Sequence, residues 1–306
     1  MRVLARVLLG LGVFLLVAGI LAVAWAPGVV KKTPLDVDTN TIYEGEAAKI
    51  DPLTGDFDRK PVFAVQQTKA DSDKSSDDHV LFIETSCLVF DTGGATECVN
   101  GNDPDLITAG IDIFATDRVT AMAVEDKNLP PDAGPHEGLI NKWPFDVEKK
   151  TYPYWDGTIG RTVDMKYDGS ESIKGLDTYR FKATVTDEPI DVAEGVPGTY
   201  TNVVTVNIEP TTGAIVKGAQ DQQRFLEDGT PALDVQIVWT DDTIADSVDD
   251  IKAQVSLLTL LLKVVPIVGF AGGALCILGG ILLLRRKPDG GQRVADRNGE
   301  KVGADS

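Results

Sequence analysis

Two uninterrupted apolar runs frame the chain. Residues 7–25 carry no charge over 19 positions, and residues 264–284 carry none over 21. At ~1.5 Å per helical residue, each is long enough to cross a hydrocarbon core of roughly 30 Å. Between them the pattern changes to short alternating stretches separated by turn residues. Strands are predicted at 62–68, 79–85, 87–90, 118–124, 200–209, 214–217 and 232–240. The clearest hairpin is YTNVVTVNIE at 200–209, turned by Pro210-Thr211-Thr212-Gly213. Residues 33–49 read as a polar stretch reaching away from the membrane, 69–78 as an exposed loop and 129–138 as a Pro/Gly-rich connection. From residue 243 the period becomes helical: Ile244, Val248, Ile251 and Val255 recur at about that spacing, and Asp241 and Asp242 suit the positive helix start.

These elements predict a mainly β outer domain, an antiparallel sandwich or barrel-like fold, flanked by N- and C-terminal transmembrane helices. The expected division is 1–6 inside, 7–25 first span, 26–243 outer domain, 244–263 stalk helix, 264–284 second span and 285–306 inner tail. Arg285, Arg286 and Lys287 directly follow the second span, so the positive-inside rule places both termini in the cytoplasm. Arg2, Arg6 and Ala24-Trp25-Ala26 also fit a cleaved leader, although the apolar run exceeds the usual signal length of roughly 7–15 residues. Glycines 10, 12 and 19 in the first span and 269, 272, 273, 279 and 280 in the second would permit close helix contact.

One stretch gathers the large side chains. Residues 143–181 hold eight of the chain's 20 aromatics: Trp143, Phe145, Tyr152, Tyr154, Trp155, Tyr167, Tyr179 and Phe181. Asp156-Gly157 and Asp168-Gly169 punctuate it as turn candidates. Such a cluster marks either a packed core or a binding wall. For a wall, the candidate ligand-binding residues are Trp143, Phe145, Tyr154 and Trp155.

Charge sharpens the outer domain's character. The formal charge of −18 resolves into +4 over residues 1–32, +3 over 263–306 and −25 over the segment between. A surface of that sign repels nucleic acid and anionic headgroups, which excludes phosphate-backbone binding as its main work. Asp36, Asp38 and Asn40 imitate a calcium loop, but Thr41 stands where glycine is needed and Ala47 where the bidentate glutamate belongs. No nucleophile motif, phosphate-binding loop or dinucleotide fingerprint occurs, and the two histidines, His79 and His136, lie far apart in sequence. No catalytic residue, metal or cofactor is therefore assigned. Cys87 and Cys98 flank LVFDTGGATE, and in an oxidising compartment they are expected to form a disulfide staple. Cys276 lies inside the second span.

Four segments carry a family resemblance: DRVTAMAV at 117–124, HEGLINKWPFDVEKKTYPYWD at 136–156, GLDTYRF at 175–181 and IEPTTGAIV at 208–216. With both spans, they make the chain resemble the actinobacterial PorA-type family, two-span envelope proteins of mycolic-acid-containing bacteria. The resemblance implies a non-enzymatic accessory in the plasma membrane whose periplasmic domain binds an envelope lipid or glycolipid of mycolate type. Its implied partners are that lipid, the membrane and a mycolate exporter or other envelope biosynthesis proteins. The alternatives are a ligand-free scaffold using its glycine-bearing spans, and a lipoglycan-processing enzyme.

Overall fold

The computed structural model describes residues 2–93 and 103–285 and divides into two compact units. The first holds the apolar helices α1 (Arg2–Ala24) and α4 (Val265–Arg285), the latter preceded by a π-helical turn at Leu260–Val264. That turn precedes Pro266, which has no N–H for the helical ladder. The two helices pack antiparallel along small residues. Ala5, Gly12 and Gly19 fall at intervals of seven on α1 and are buried, as are Gly269, Gly273 and Gly280 on α4. A Cβ on Gly269 would lie 2.8 Å from the Gly19 Cα, and one on Gly273 would lie 2.9 Å from the Gly12 carbonyl oxygen. Backbones approach this closely only where side chains are absent. The glycines read as contact points thus serve, for the most part, the chain's own helix pair. Gly10, with nothing within 4 Å of its would-be Cβ, does not.

The second unit spans Gly28–Thr259. After α2 (Ala26–Val30) come ten strands: β1 (Asp38–Lys49), β2 (Lys60–Ala70), β3 (His79–Phe90), β4 (Leu106–Asp117), β5 (Tyr152–Asp156), β6 (Arg161–Ile173), β7 (Leu176–Ala193), β8 (Val196–Ile208), β9 (Ile215–Leu226) and β10 (Pro231–Trp239). They form one antiparallel sheet in the order β4-β3-β2-β1-β10-β9-β8-β7-β6-β5. The sheet curls into a half-barrel, and isolated bridges run from Thr116 to Ala123, from Met122 to Leu139 and from Leu139 to Tyr154, linking edge strand β4 to edge strand β5. Of the two expected forms, the barrel-like one is realised and the two-sheet sandwich is not.

Several local expectations change. Residues 33–49 do not reach away as a polar arm, because Asp38–Lys49 is β1, held between β2 and β10 at the centre of the sheet. Its charges disguised it: Glu44 and Glu46 alternate with Tyr43, Gly45 and Ala47, so one parity faces inward. The strand predicted at 118–124 is a turn with single bridges, and the true strand, β4, precedes it. Asp168-Gly169 is a bulge inside β6, where Gly169 takes φ 123, and the two-residue turn is at Lys174-Gly175 with φ 45 and 80. The Pro210–Gly213 hairpin forms as expected.

Helix α3 (Asp241–Thr259) follows β10 and is no free stalk. Thr240 Oγ1 accepts from the Thr243 amide as its cap. Thr243 Oγ1 in turn accepts from the Ile42 amide at 3.2 Å, fixing the helix start to β1. Ile244, Val248 and Ile251 then bury against Ile173, Leu176, Val216 and Trp239. Each such aliphatic burial is worth roughly 1.5–3 kcal/mol, enough to hold the helix on the sheet.

Candidate functional site

The inward parity of the strands mixes apolar and polar positions. On β2 it reads Val62, Ala64, Gln66, Thr68, Ala70, a core strand interrupted by an amide and a hydroxyl. On β9 it reads Val216, Gly218, Gln220, Gln222, Arg224. These positions line the concave face, and their side chains form two hydrogen-bonded groups.

The first group lies on β1–β4. Tyr43 Oη donates to Gln66 Oε1 at 2.8 Å, and Thr68 Oγ1 donates to Glu84 Oε2 at 2.9 Å. Burial pushes the Tyr43 hydroxyl up to about 12. Burial also raises the Glu84 carboxyl above its ordinary range, against hydrogen bonds from Thr68 and Gln66. Glu84 stands opposite Asp112 on β4, which shares a 2.9 Å hydrogen bond with His136 Nε2. His136 Nδ1 bonds the Gly134 carbonyl oxygen at 2.9 Å. The bond to Asp112 holds the imidazole's pKa above its ordinary value, because in the protonated ring both nitrogens donate. The ring lies 5.6 Å from Phe114 and 5.0 Å from Trp155.

The second group lies on β5, β8 and β9. Asn202 Nδ2 donates to Tyr200 Oη at 2.6 Å, and Tyr200 Oη donates to Asp156 Oδ2 at 3.1 Å. With its amide oxygen turned toward Arg224, Gln222 accepts from that guanidinium at 2.9 and 3.1 Å. Burial raises the Tyr200 hydroxyl and lowers Arg224. Asn202 Oδ1 is buried and finds no donor among the described residues. Tyr154 joins the groups, lying within electrostatic reach of Tyr43, Glu84, Asp156 and Tyr200.

The four aromatics expected as a binding wall do not make one continuous surface. Trp143 is completely buried, stacked on Tyr154 at 5.8 Å and against Phe181 at 5.7 Å. Its position is locked because Gly213, at φ +74, accepts the Trp143 amide bond; a Cβ there would sit 2.1 Å from the Trp143 carbonyl oxygen. Phe145 lies apart, under the Lys142 amine at 4.0 Å. Lys142 Nζ donates to the Thr212 and Trp143 carbonyls, and burial brings its pKa down to about 7 against the pull of Glu209. Tyr154 borders the polar band, and Trp155 meets it through His136. Gln66, Glu84, Asp112, Tyr200, Asn202 and Arg224 were not singled out from the sequence, although polar residues at core parity mark Gln66 and Thr68. Cys87 is buried on β3, whereas Cys98, and with it the expected disulfide, lies outside the described residues.

Comparison with known proteins adds the family. A family model described as Porin PorA matches residues 4–282, nearly the entire chain. The chain belongs to the Porin PorA family. It is also similar to a protein named Porin PorA from Corynebacterium amycolatum, with 26% identity over 40% of this chain and 45% of that one. The match thus spans less than half of that relative's length. Membership in the family, with two helices long and apolar enough to cross a membrane, makes this a membrane-associated protein. The strands themselves are poorly suited to face lipid. Their outward parity carries Glu44, Glu46, Lys182, Lys217 and Asp221, where a membrane barrel needs an apolar band.

Proposed function

We propose that the half-barrel binds an envelope lipid or glycolipid through a polar headgroup and assists its transport or the assembly of the envelope, without catalysing a reaction. In this reading the chain sits in the plasma membrane on two spans, with both termini cytoplasmic and the sheet unit outside. The observation that carries it is the concave polar band, with side-chain amides, hydroxyls and tyrosine rings in two hydrogen-bonded groups, one of them holding an Asn202 Oδ1 that finds no donor among the described residues. Polyhydroxyl headgroups are recognised by this mixture of planar hydrogen-bonding groups and aromatic faces. The mycolate-type identity of the lipid rests on the family resemblance. Mass spectrometry of lipid copurified with the full-length protein in mild detergent tests the proposal. Retention of a glycolipid that Asn202→Leu and Gln66→Leu abolish would support it. Equal lipid content in wild type and variants would refute it.

The relative's printed name favours a channel as the second reading. In this chain a pore would have to be built by α1 and α4 of several copies, because the strands carry charge on their outer parity. Single-channel conductance of the purified protein in planar bilayers separates the two.

A further inference from the structure

Strands β6 and β7 form a ladder only over part of their length. Pairing runs from Lys166 opposite Lys182 to Ile173 opposite Leu176, and then the strands part. Residues 161–165 of β6 turn their other edge to β5, while β7 continues alongside β8. Two irregularities lie beside the opening. An extra residue, Asp168, bulges β6, and β7 shifts register between Val185 and Glu188, where Asp187 takes φ 50 and gives its N–H to Thr201 Oγ1. Between the strands lies a wedge of about 780 Å³, lined on one side by residues 161–164 and 166–168 and on the other by 182, 184–186 and 188.

Inside this wedge the facing edges of β6 and β7 have no ladder partner among the described residues. An unpaired edge is a template for another strand, and here two of them face each other within one sheet. Across the open end runs the ion pair of Arg161 and Glu188 at 2.7 Å. These long side chains bridge strands that are not hydrogen-bonded there, where strands separated by one inserted strand would lie about 9–10 Å apart. At the vertex, Lys166 and Lys182 stand directly opposite each other, both exposed and, among the described residues, neither in an ion pair. Like charges in that position destabilise a ladder unless an anion lies between them.

We infer that this wedge is a strand-addition site for an extended segment of a partner protein. The segment is about five residues long, matching the five free positions of β6, and carries an acidic side chain or terminal carboxylate that reaches Lys166 and Lys182. Main-chain hydrogen bonds supply the affinity, and the lysine pair sets the polarity of insertion.

The test uses the full-length protein in detergent and fluorescein-labelled pentapeptides of alternating Thr and Val, ending in Asp or in Lys. Anisotropy should show saturable binding of the Asp peptide, with hydrogen-exchange protection confined to residues 161–168 and 182–188. Methylating alternate peptide nitrogens should weaken it at least about tenfold, since only strand addition needs those N–H groups. The Lys166→Glu, Lys182→Glu double variant, altered only at exposed positions, should reverse the preference toward the Lys peptide. Absence of binding for every peptide at about 1 mM, equal binding of the methylated peptide, or protection elsewhere would overturn the proposal.

Discussion

Truncating Trp143 separates a core from a binding wall. The side chain is fully buried, with Tyr154 and Phe181 rings 5.8 and 5.7 Å away. Removing a buried tryptophan to alanine costs about 3–5 kcal/mol, in which its aromatic pairs account for about 0.5–1.5 kcal/mol each. For a unit the size of Gly28–Thr259, about 4 kcal/mol corresponds to a fall in Tm of roughly 8–16 °C. The indole Nε1 is buried without an acceptor among the described residues, and such an orphan donor costs about 1–3 kcal/mol. Trp143→Phe loses volume but also removes that donor, so it should cost less than about 2 kcal/mol. Thermal unfolding of the full-length protein in detergent, followed by near-UV circular dichroism, reads both variants. If Trp143→Ala keeps the wild-type Tm yet loses copurified lipid, the core assignment is wrong and Trp143 belongs to the ligand. If Trp143→Phe is as damaging as Trp143→Ala, the orphan-donor argument fails.

The ionisable groups give two opposed pH effects. Lys142 has a folded pKa depressed to about 7, so the unfolded chain binds more protons between about 7 and 10.5; the stability it contributes is present above that window and lost as pH falls through it, and Lys142→Met should flatten this dependence in denaturant melts. Glu84 is raised, so the folded chain holds its proton longer; stability is full below about 4.5 and falls as pH rises through the folded pKa, a loss that Glu84→Gln should remove. Gly273→Leu places side-chain atoms where the Gly12 carbonyl and Leu16 lie, and should lower the thermal stability of the helical signal, while Gly10→Leu, in open space, should not. Gly213→Ala combines a positive φ with backbone clashes at 2.1 and 2.4 Å, and should cost more than about 3 kcal/mol by chemical denaturation.

The two helices, the β-rich middle and the switch to helix after residue 240 were all legible in the chain, because each depends on local periodicity. So was the aromatic centre: Tyr152, Phe181 and Trp143 share one core cluster. The polar site was not legible. Glu84, Asp112 and His136 are 52 positions apart at most, yet what makes them a group is register across β3 and β4 and a loop returning to meet them. Tyr200, Asn202 and Asp156 depend on strands brought together by the same curl. Two acidic residues in an outer segment holding 43 are indistinguishable from solvated surface until burial singles one out.

Sequence alone thus determined what each segment prefers: apolar runs of membrane length, alternating strands, turn residues where the chain reverses, and a net charge that excludes polyanions. Tertiary structure decided what those preferences are used for. It placed β1 at the sheet's centre despite its charges, laid the expected stalk helix onto the sheet, and turned the glycines of the spans toward each other. The physical reason is range. Periodicity and turn propensity act over a few residues, whereas burial, register and the opening between β6 and β7 exist only once strands distant in sequence share a sheet.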